Sequence, residues 1–434
     1  MQLVDDWALA IGESREQQRR ALLLLSAMAN AYLWCDPDLI LDVIPKNISI
    51  PLCGVAKRLG IQPALVHASI VLVNWRRLNP NGPIDTTNIT TLVDLLGGRD
   101  EKWFFLLTVE IEAKGAPSVV RCLLLLEAVT MIRKMLNTSS VGGNGGTADC
   151  RCDDDDSVSN TAAVDIIPWM CWMTLLLSEV QETIEGMTLS FQKMSKKCDP
   201  YIFYHRVRPF LSGTKGNPTI PNGVVYDGCY DNKHMQCSGG SAAQSSLLPV
   251  LDATLGVQHK GDDTALFINE MREYMPKEHR KFILHVHKVA ESTGDVSTLL
   301  NELNCEKKRM EEKEKRVEEK EKEKEKEKSD FDQETERMRV QYNECVESLT
   351  TFRNVHMEMV KIYIIAEMRK AAIIVAKKNG GSDSSKILGD SAGGKGTGGT
   401  GIMSFLKPVR NRTREKKMMV SSTSPVSSSS SSTL

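Results

Sequence analysis

The chain has 434 residues, 41% of them hydrophobic, enough to bury a sizeable core. Its 55 basic and 56 acidic side chains leave a net charge of -1, which excludes a global field aimed at nucleic acid, an anionic membrane or a polyanionic substrate. Its 11 cysteines, spread from Cys35 to Cys345 with no C-x-x-C pair, read as buried thiols of a reducing compartment rather than a disulfide framework or zinc site, so a cytoplasmic protein is expected.

At the amino terminus, Arg19 and Arg20 precede Ala-Leu-Leu-Leu-Leu-Ser-Ala-Met-Ala, but Asp5, Asp6, Glu13 and Glu16 are wrong for the basic region of a secretion signal. Leu22, Leu25, Ala29 and Leu33 instead predict one face of a helix, and Leu123, Leu126, Val129 and Ile132 predict a second. Residues 137–163, rich in Gly and Ser with Asp153 to Asp156 in a row, fail the composition test for a packed core. The apolar stretch Ile166 to Leu177 is about half the ~20 residues of a membrane span, so no membrane crossing is expected. Residues 306–328 carry only Met310 and Val317 uncharged. Glu311 and Lys315, and Glu312 and Arg316, support an exposed helix, whereas the strict Glu-Lys alternation from Glu321 puts like charges one turn apart and predicts fraying. Leu349, Phe352, His356, Val360 and Tyr363 make a third helical stripe, and most of 379–434 is Gly- and Ser-rich. Strand signals are short and few, and an all-α protein is expected.

Most candidate chemistry fails on local grounds. Asp153 to Asp156 beside Cys150 and Cys152 do not converge on an ion without a turn to aim them. Gly389 to Lys395 nearly spells a phosphate loop, but Gly396 stands where the magnesium-binding Ser or Thr belongs. There is no G-x-S-x-G elbow and no H-E-x-x-H pair. Three stretches remain. His356 sits on an apolar helical face with Arg353 at i−3; it reads either as a satisfied core histidine or as a neutral imidazole suited to a haem iron, with a guanidinium for a propionate. Residues 202–218, IFYHRVRPFLSGTKGNP, mix aromatics with Arg206, Arg208 and Lys215, which either cap a helix end or hold an anion beside a stacked planar ligand. Residues 238–246, SGGSAAQSS, are either a linker or a loop whose small residues let backbone approach a flat ligand.

In order along the chain, VNWRRLNPNGP (73–83), WFFLLTVEIEAKGAP (103–117), FLSGTKGNP (210–218), GGSAAQSS (239–246), MREYMPKEHR (271–280), YNECVESLTTFRNVH (342–356) and GTGGT followed by FLK (396–407) together resemble the indoleamine 2,3-dioxygenase family. The resemblance implies a haem b enzyme that inserts both atoms of dioxygen across the indole 2,3 double bond of L-tryptophan. The product is N-formyl-kynurenine, the first step of the kynurenine route toward NAD. It implies His356 as proximal iron ligand, Arg353 and Asp252 as a charged pair beside the propionates, and Gly240, Ser241 and Ala242 along the distal haem face. Arg208 matches the substrate-carboxylate clamp and Phe203 the ring on the indole, with Tyr204 beside it; Phe104 and Thr108 fall on the distal wall and Thr397 on a mobile glycine-rich lid. An electron donor to keep iron ferrous and a monomeric state are also expected. A haem protein of the same fold that binds dioxygen or senses haem without turnover is the alternative; it would need His356 but have no use for Arg208.

The resemblance divides the chain into a remnant of a small amino-terminal helical domain (1–96), whose leading helices are expected to be missing, and a large helical haem domain (97–410). The latter carries low-complexity insertions at 137–163 and 306–328 and a lid near 393–401, and a disordered Ser-rich tail (411–434) is expected to follow. The sequence departs from the family pattern at His67, where tyrosine is frequent, Thr108 (serine), Tyr204 (phenylalanine) and Ala243 (glycine).

Overall fold

The computed structural model describes residues 14–36, 38–141, 158–314, 322–378, 397 and 401–419. Helix α1 (Arg15–Trp34) buries Leu22, Leu25, Ala29 and Leu33, the stripe its sequence predicts. Strand β1 (Val43–Ile44) leads into α2 (Lys46–Leu59), which stops where Gly60 adopts the left-handed conformation at φ 63°. Strands β2 (Trp75–Arg77) and β3 (Ile89–Thr91) pair antiparallel, with Trp75 opposite Thr91. Two long helices follow, α3 (Arg99–Val141) and α4 (Val158–Phe191), packed along each other. Strand β4 (Val224–Tyr226) lies parallel to β1 and antiparallel to β5 (His234–Met235). The rest is helical: α5 (Leu247–Leu255), α6 (Asp263–Arg272), α7 (Lys277–Thr293), α8 (Val296–Glu314), α9 (Lys322–Val360), α10 (Ala366–Lys378) and α11 (Ile402–Arg414).

The start of α3 is fixed by Glu101, whose buried carboxylate accepts the backbone N–H groups of Leu95, Leu96 and Gly97 at 2.8, 3.0 and 2.6 Å, donors that the helix cannot satisfy itself. Residues 99–137 of this helix are long and apolar enough to cross a membrane by length and composition, a property that inspection of 166–177 alone overlooks. Here Phe105, Leu107, Leu125, Leu126, Val129 and Ile132 are buried in the protein core. The largest cluster joins α3, α4, α5, α7, α8 and α9 through side chains such as Leu125, Met173, Leu251, Ile283, Leu299 and Leu349. A second joins α1 and α2 to Val224, Tyr226 and Phe267, so amino-terminal residues complete their core with residues far along the chain. A third surrounds Phe105, Phe203 and Tyr363.

Low-complexity composition hides more helix than it reveals. α3 runs on to Val141 and α4 begins at Val158, so helix enters both ends of the 137–163 segment. Helix α8 continues through Glu314, and the backbone is helical again from Lys322, inside the Glu-Lys alternation where fraying is predicted. Those residues join the long helix α9, and extending an existing helix is far easier than nucleating one. The expected tail also begins too early at residue 411: α11 extends to Arg414, and the carbonyls of Met418 and Met419 accept hydrogen bonds from Asn343 Nδ2 and Arg339 Nη1, both at 3.0 Å. Composition treats this stretch as linker because its buried residues, Ile402, Val409 and Thr413, are widely spaced among charges. All nine described cysteines are free thiols, but Cys35, Cys171 and Cys305 are exposed rather than buried.

Candidate functional site

A cavity of about 640 Å³ is lined by α3, the end of α4, α5, α6, α7, α9, α11 and the loop 240–245, within the size range of small-molecule sites. Three short π-helical turns contribute to it: Ala68–Leu72 supplies Ile70 and Val71, Phe203–Val207 supplies Phe203, and Lys361–Ile365 supplies Tyr363 and Ile364. Such turns rotate the helix face by one residue and recur at functional sites.

His356 lies on one wall, its ring 5.6 Å from that of Phe191. Burial, helped by the charge of Arg353, pulls its imidazole down to about 4, so it is neutral at pH 7. Among the described residues none hydrogen-bonds the ring. Arg353, one turn earlier and buried, donates through Nη2 to both oxygens of Asp252 at 2.7 and 2.8 Å, and through Nη1 to the Val409 carbonyl at 3.4 Å. Its buried Nε has no partner. Burial would raise the Asp252 carboxyl, but Arg353 and His259, whose Nε2 is 3.0 Å away, outweigh it and hold it low. The chain of charges runs on to Arg412, 3.4 Å from His259 Nδ1 and paired with Asp262, which puts a residue of the expected tail in the site's support. Arg272, which the sequence reading did not single out, also lines the cavity with an unpartnered buried Nε while its Nη2 meets His287 at 3.0 Å.

Another wall is aromatic. Phe104 and Phe203 pack with ring centroids 4.8 Å apart, and Phe203 meets Tyr363 edge-on at 5.8 Å. Arg208, at the end of the same short helical run as Phe203, lines the cavity, as does Thr108, whose hydroxyl donates to the Phe104 carbonyl at 2.8 Å. Tyr204 is not among the lining residues; its ring lies under the Arg208 guanidinium at 5.6 Å, so it acts on the site through that arginine.

The small-residue loop is a structured turn. Ser241 caps the short turn Ala242–Gln244, and Gln244 answers with its own side chain. Gly240, Ser241, Ala242 and Ala243 line the cavity. Glycine at 239 is needed against protein rather than ligand: a Cβ there would come within 2.1 Å of the Leu211 carbonyl oxygen. Thr397 holds this loop, its hydroxyl donating to Gly240 O at 2.8 Å and its carbonyl accepting Gly239 N–H at 3.0 Å. The remainder of the expected lid, apart from Gly401, lies outside the described residues, as do Asp153 to Asp156, Cys150, Cys152 and the near-phosphate loop 389–396.

Sequence reasoning named His67 only as a departure from the family pattern and missed its partner on the wall. His67 Nε2 donates to Glu112 Oε1 at 2.9 Å, and both residues line the cavity. Glu112 follows Phe104 and Thr108 at spacings of four on α3, a signal available in the motif, and Gln244 Oε1 accepts the His67 backbone N–H at 2.9 Å.

A family model for indoleamine 2,3-dioxygenase matches residues 9–141 and 170–416. The chain belongs to the indoleamine 2,3-dioxygenase family. The interruption of the match spans the segment between α3 and the apolar part of α4. Indoleamine 2,3-dioxygenase 2 of Mus musculus is 30% identical over 93% of this chain and 80% of its own length. Indoleamine 2,3-dioxygenase 1 of Rattus norvegicus is 30% identical over 92% and 79%, and indoleamine 2,3-dioxygenase of Saccharomyces cerevisiae 30% over 93% and 79%. The chain is accordingly a haem-dependent dioxygenase of the all-α class. Its own residues fit the haem: a neutral, unbonded imidazole on a cavity wall can coordinate iron, and the unpartnered buried Nε–H groups of Arg353 and Arg272 require acceptors of the kind that propionates provide.

Proposed function

We propose that the cavity opens the indole 2,3 double bond of L-tryptophan with dioxygen to give N-formyl-kynurenine, using the residues assigned as follows. His356 would be the protein ligand to haem b iron, Arg353 and Asp252 would hold the propionates, and Gly240, Ser241 and Ala242 would flank the haem. The haem supplies binding and activation of dioxygen. Arg208 takes the substrate carboxylate, and Phe104 and Phe203 hold the indole, with Thr108 and Thr397 completing the wall and Tyr204 orienting Arg208. The apolar rings exclude water from the reacting face, and the reaction needs no side-chain base because both oxygen atoms enter the product.

The observation that carries the reading is one cavity that contains both His356 and Arg208. A protein that only bound dioxygen or sensed haem would have no use for a half-buried guanidinium beside an aromatic pair. The same reading takes the protein as cytoplasmic and monomeric, served by an external electron donor, with residues 1–96 and those from 97 onward as its two domains.

The test is an optical titration of the haem-reconstituted protein, reduced under air, with L-tryptophan added and N-formyl-kynurenine followed in the same cuvette. Product growth is expected; a stable oxygenated spectrum without product would overturn the proposal. Arg208→Ala should weaken tryptophan binding by roughly 10- to 100-fold, the worth of a charge-assisted hydrogen-bond pair, while leaving the haem spectrum unchanged.

A further inference from the structure

Among the described residues, the side chains that both line the cavity and reach solvent are gathered on one side. Apart from Ala242 they are Gln258, Lys260, Asn269, Leu284, Lys288 and Glu291, all on the segment 258–260, α6 or α7. At the other end, Phe104, Thr108, Glu112 and Arg208 are not exposed, and Thr397 fastens the loop there through its bonds to Gly240 and Gly239. The mouth of the cavity is therefore the gap bordered by α6, α7 and residues 258–260.

The reaction described above uses none of the charge at this mouth. Lys260 and Lys288 are exposed and Arg272 is half-buried, against Glu291 as the acid of the rim. His287, which meets Arg272 Nη2 at 3.0 Å, adds no charge at pH 7, because burial and the Arg272 guanidinium both lower it from its ordinary value. Leu284, 52% exposed, sets an apolar lip among these cations. A rim of surplus positive charge with an apolar lip suits an amphiphile that has an apolar body and an acidic edge. The donors in need of acceptors lie toward the same side: Arg272 Nε is on α6, and Asp252, the partner of Arg353, is bonded to His259, the neighbour of Lys260. A macrocycle that enters apolar edge first leaves its carboxylates in this rim, whereas the reverse orientation would drag them through an apolar interior without partners.

We propose that the mouth between α6, α7 and residues 258–260 is the port through which the protein takes up its haem, with Lys260 and Lys288 steering the propionates on approach and Arg272 retaining one of them afterwards. This rests on the propionate side assigned under the proposed function. The two roles separate kinetically: exposed rim charges set the association rate and its salt dependence, whereas a buried charged donor sets the dissociation rate.

The experiment is stopped-flow uptake of haem by the full-length chain freed of haem, followed at the Soret band over a range of salt concentrations. Haem loss from the loaded protein is measured separately with excess apomyoglobin as acceptor. Wild-type uptake should slow as salt rises. Reversing both lysines, Lys260→Glu with Lys288→Glu, should slow uptake at low salt by about tenfold or more and flatten its salt dependence, with the rate of loss close to wild type. Lys260→Gln with Lys288→Gln, a milder change confined to the surface, should give a smaller effect of the same kind. Arg272→Met should do the opposite, speeding loss by about tenfold with little change in uptake. A reference pair, Lys57→Glu with Lys233→Glu, makes the same change in net charge at exposed positions that do not line the cavity. If that pair slows uptake as much as the mouth pair, or if the mouth pair leaves the salt dependence unchanged, the port is not there. Normal uptake combined with weaker tryptophan binding in the mouth pair would make this opening the substrate's route and overturn the inference as well. Haem that binds wild type at a rate indifferent to salt sinks only the port, whereas a chain that takes up no haem sinks the site beneath it.

Discussion

The cavity has two acid-bearing walls, and their charges are paired to different degrees. On the wall formed by α5 and α9, Asp252 receives two contacts from Arg353 and a third from His259, so both carboxylate oxygens are partnered and the loose end is a donor, Arg353 Nε. On the wall formed by α3, Glu112 is held by His67 and Ser245, and the loose end is an acceptor. Buried polar groups are rarely left short of partners, so the unpartnered Arg353 Nε calls for an acceptor beside His356, whereas Glu112 is 17% accessible and open to the cavity. The same type of residue, an acid on the cavity wall, is thus fully engaged with protein in one place and partly open to the cavity in the other.

The largest expected effect comes from removing the group proposed to hold the cofactor on the first wall. His356→Ala takes away an imidazole on that face that no described residue hydrogen-bonds, and haem affinity should fall by more than about 100-fold, since loss of even an outer partner of a metal ligand costs 10- to 100-fold. The haem-to-protein ratio after gel filtration measures it; stoichiometric haem in the variant would remove His356 from the iron. Next is the pair that supports it. Asp252→Asn strips Arg353 of its counter-charge while leaving it buried, and should destabilise the fold by about 3–5 kcal/mol in chemical denaturation. Replacing Arg353 by Met in the same chain should recover much of that loss, because the cost lies in the unpaired charge rather than in the missing bridge.

The sequence made the helical class legible because apolar spacing survives in stripes such as Leu22 to Leu33 and Leu349 to Tyr363, whose members are buried apart from His356, which faces the cavity. The site was legible where a motif carried it: His356, Arg353, Asp252, Arg208, Phe203, Phe104, Thr108 and the loop 240–242 all line one cavity. What was not legible depended on long-range geometry. His67 and Glu112 are 45 residues apart, and no local pattern says that they touch. Arg412 looked like tail because α11 is short, basic and preceded by glycines, and its role appears only when His259 and Asp262 are brought to it. The π-helical turns shift the register by one residue where Phe203 and Tyr363 enter the wall, which a fixed helical period cannot anticipate.

The smallest expected effect separates two acids on one helix. Glu110 and Glu112 are two residues apart on α3 and therefore face different ways. Glu112 meets the cavity, while Glu110 is buried against Lys193 Nζ at 2.5 Å, Ser190 Oγ at 2.6 Å and the Thr86 N–H at 2.9 Å. Burial pushes the Glu110 carboxyl up, but those three donors outweigh it and hold it at about 2, below its ordinary 4.5. Because the folded value is the lower one, the folded state is stabilised in full above the ordinary value, and the gain is lost as pH falls from about 4.5 toward 2. Denaturant midpoints measured from pH 7 down to pH 3 should therefore drop less steeply for Glu110→Gln than for the wild type, with a cost at neutral pH of about 1–3 kcal/mol from the donors left short. If the two acid slopes coincide, Glu110 is not the ionised anchor of α3, and the contrast between a spent acid and an open one on this helix fails with it.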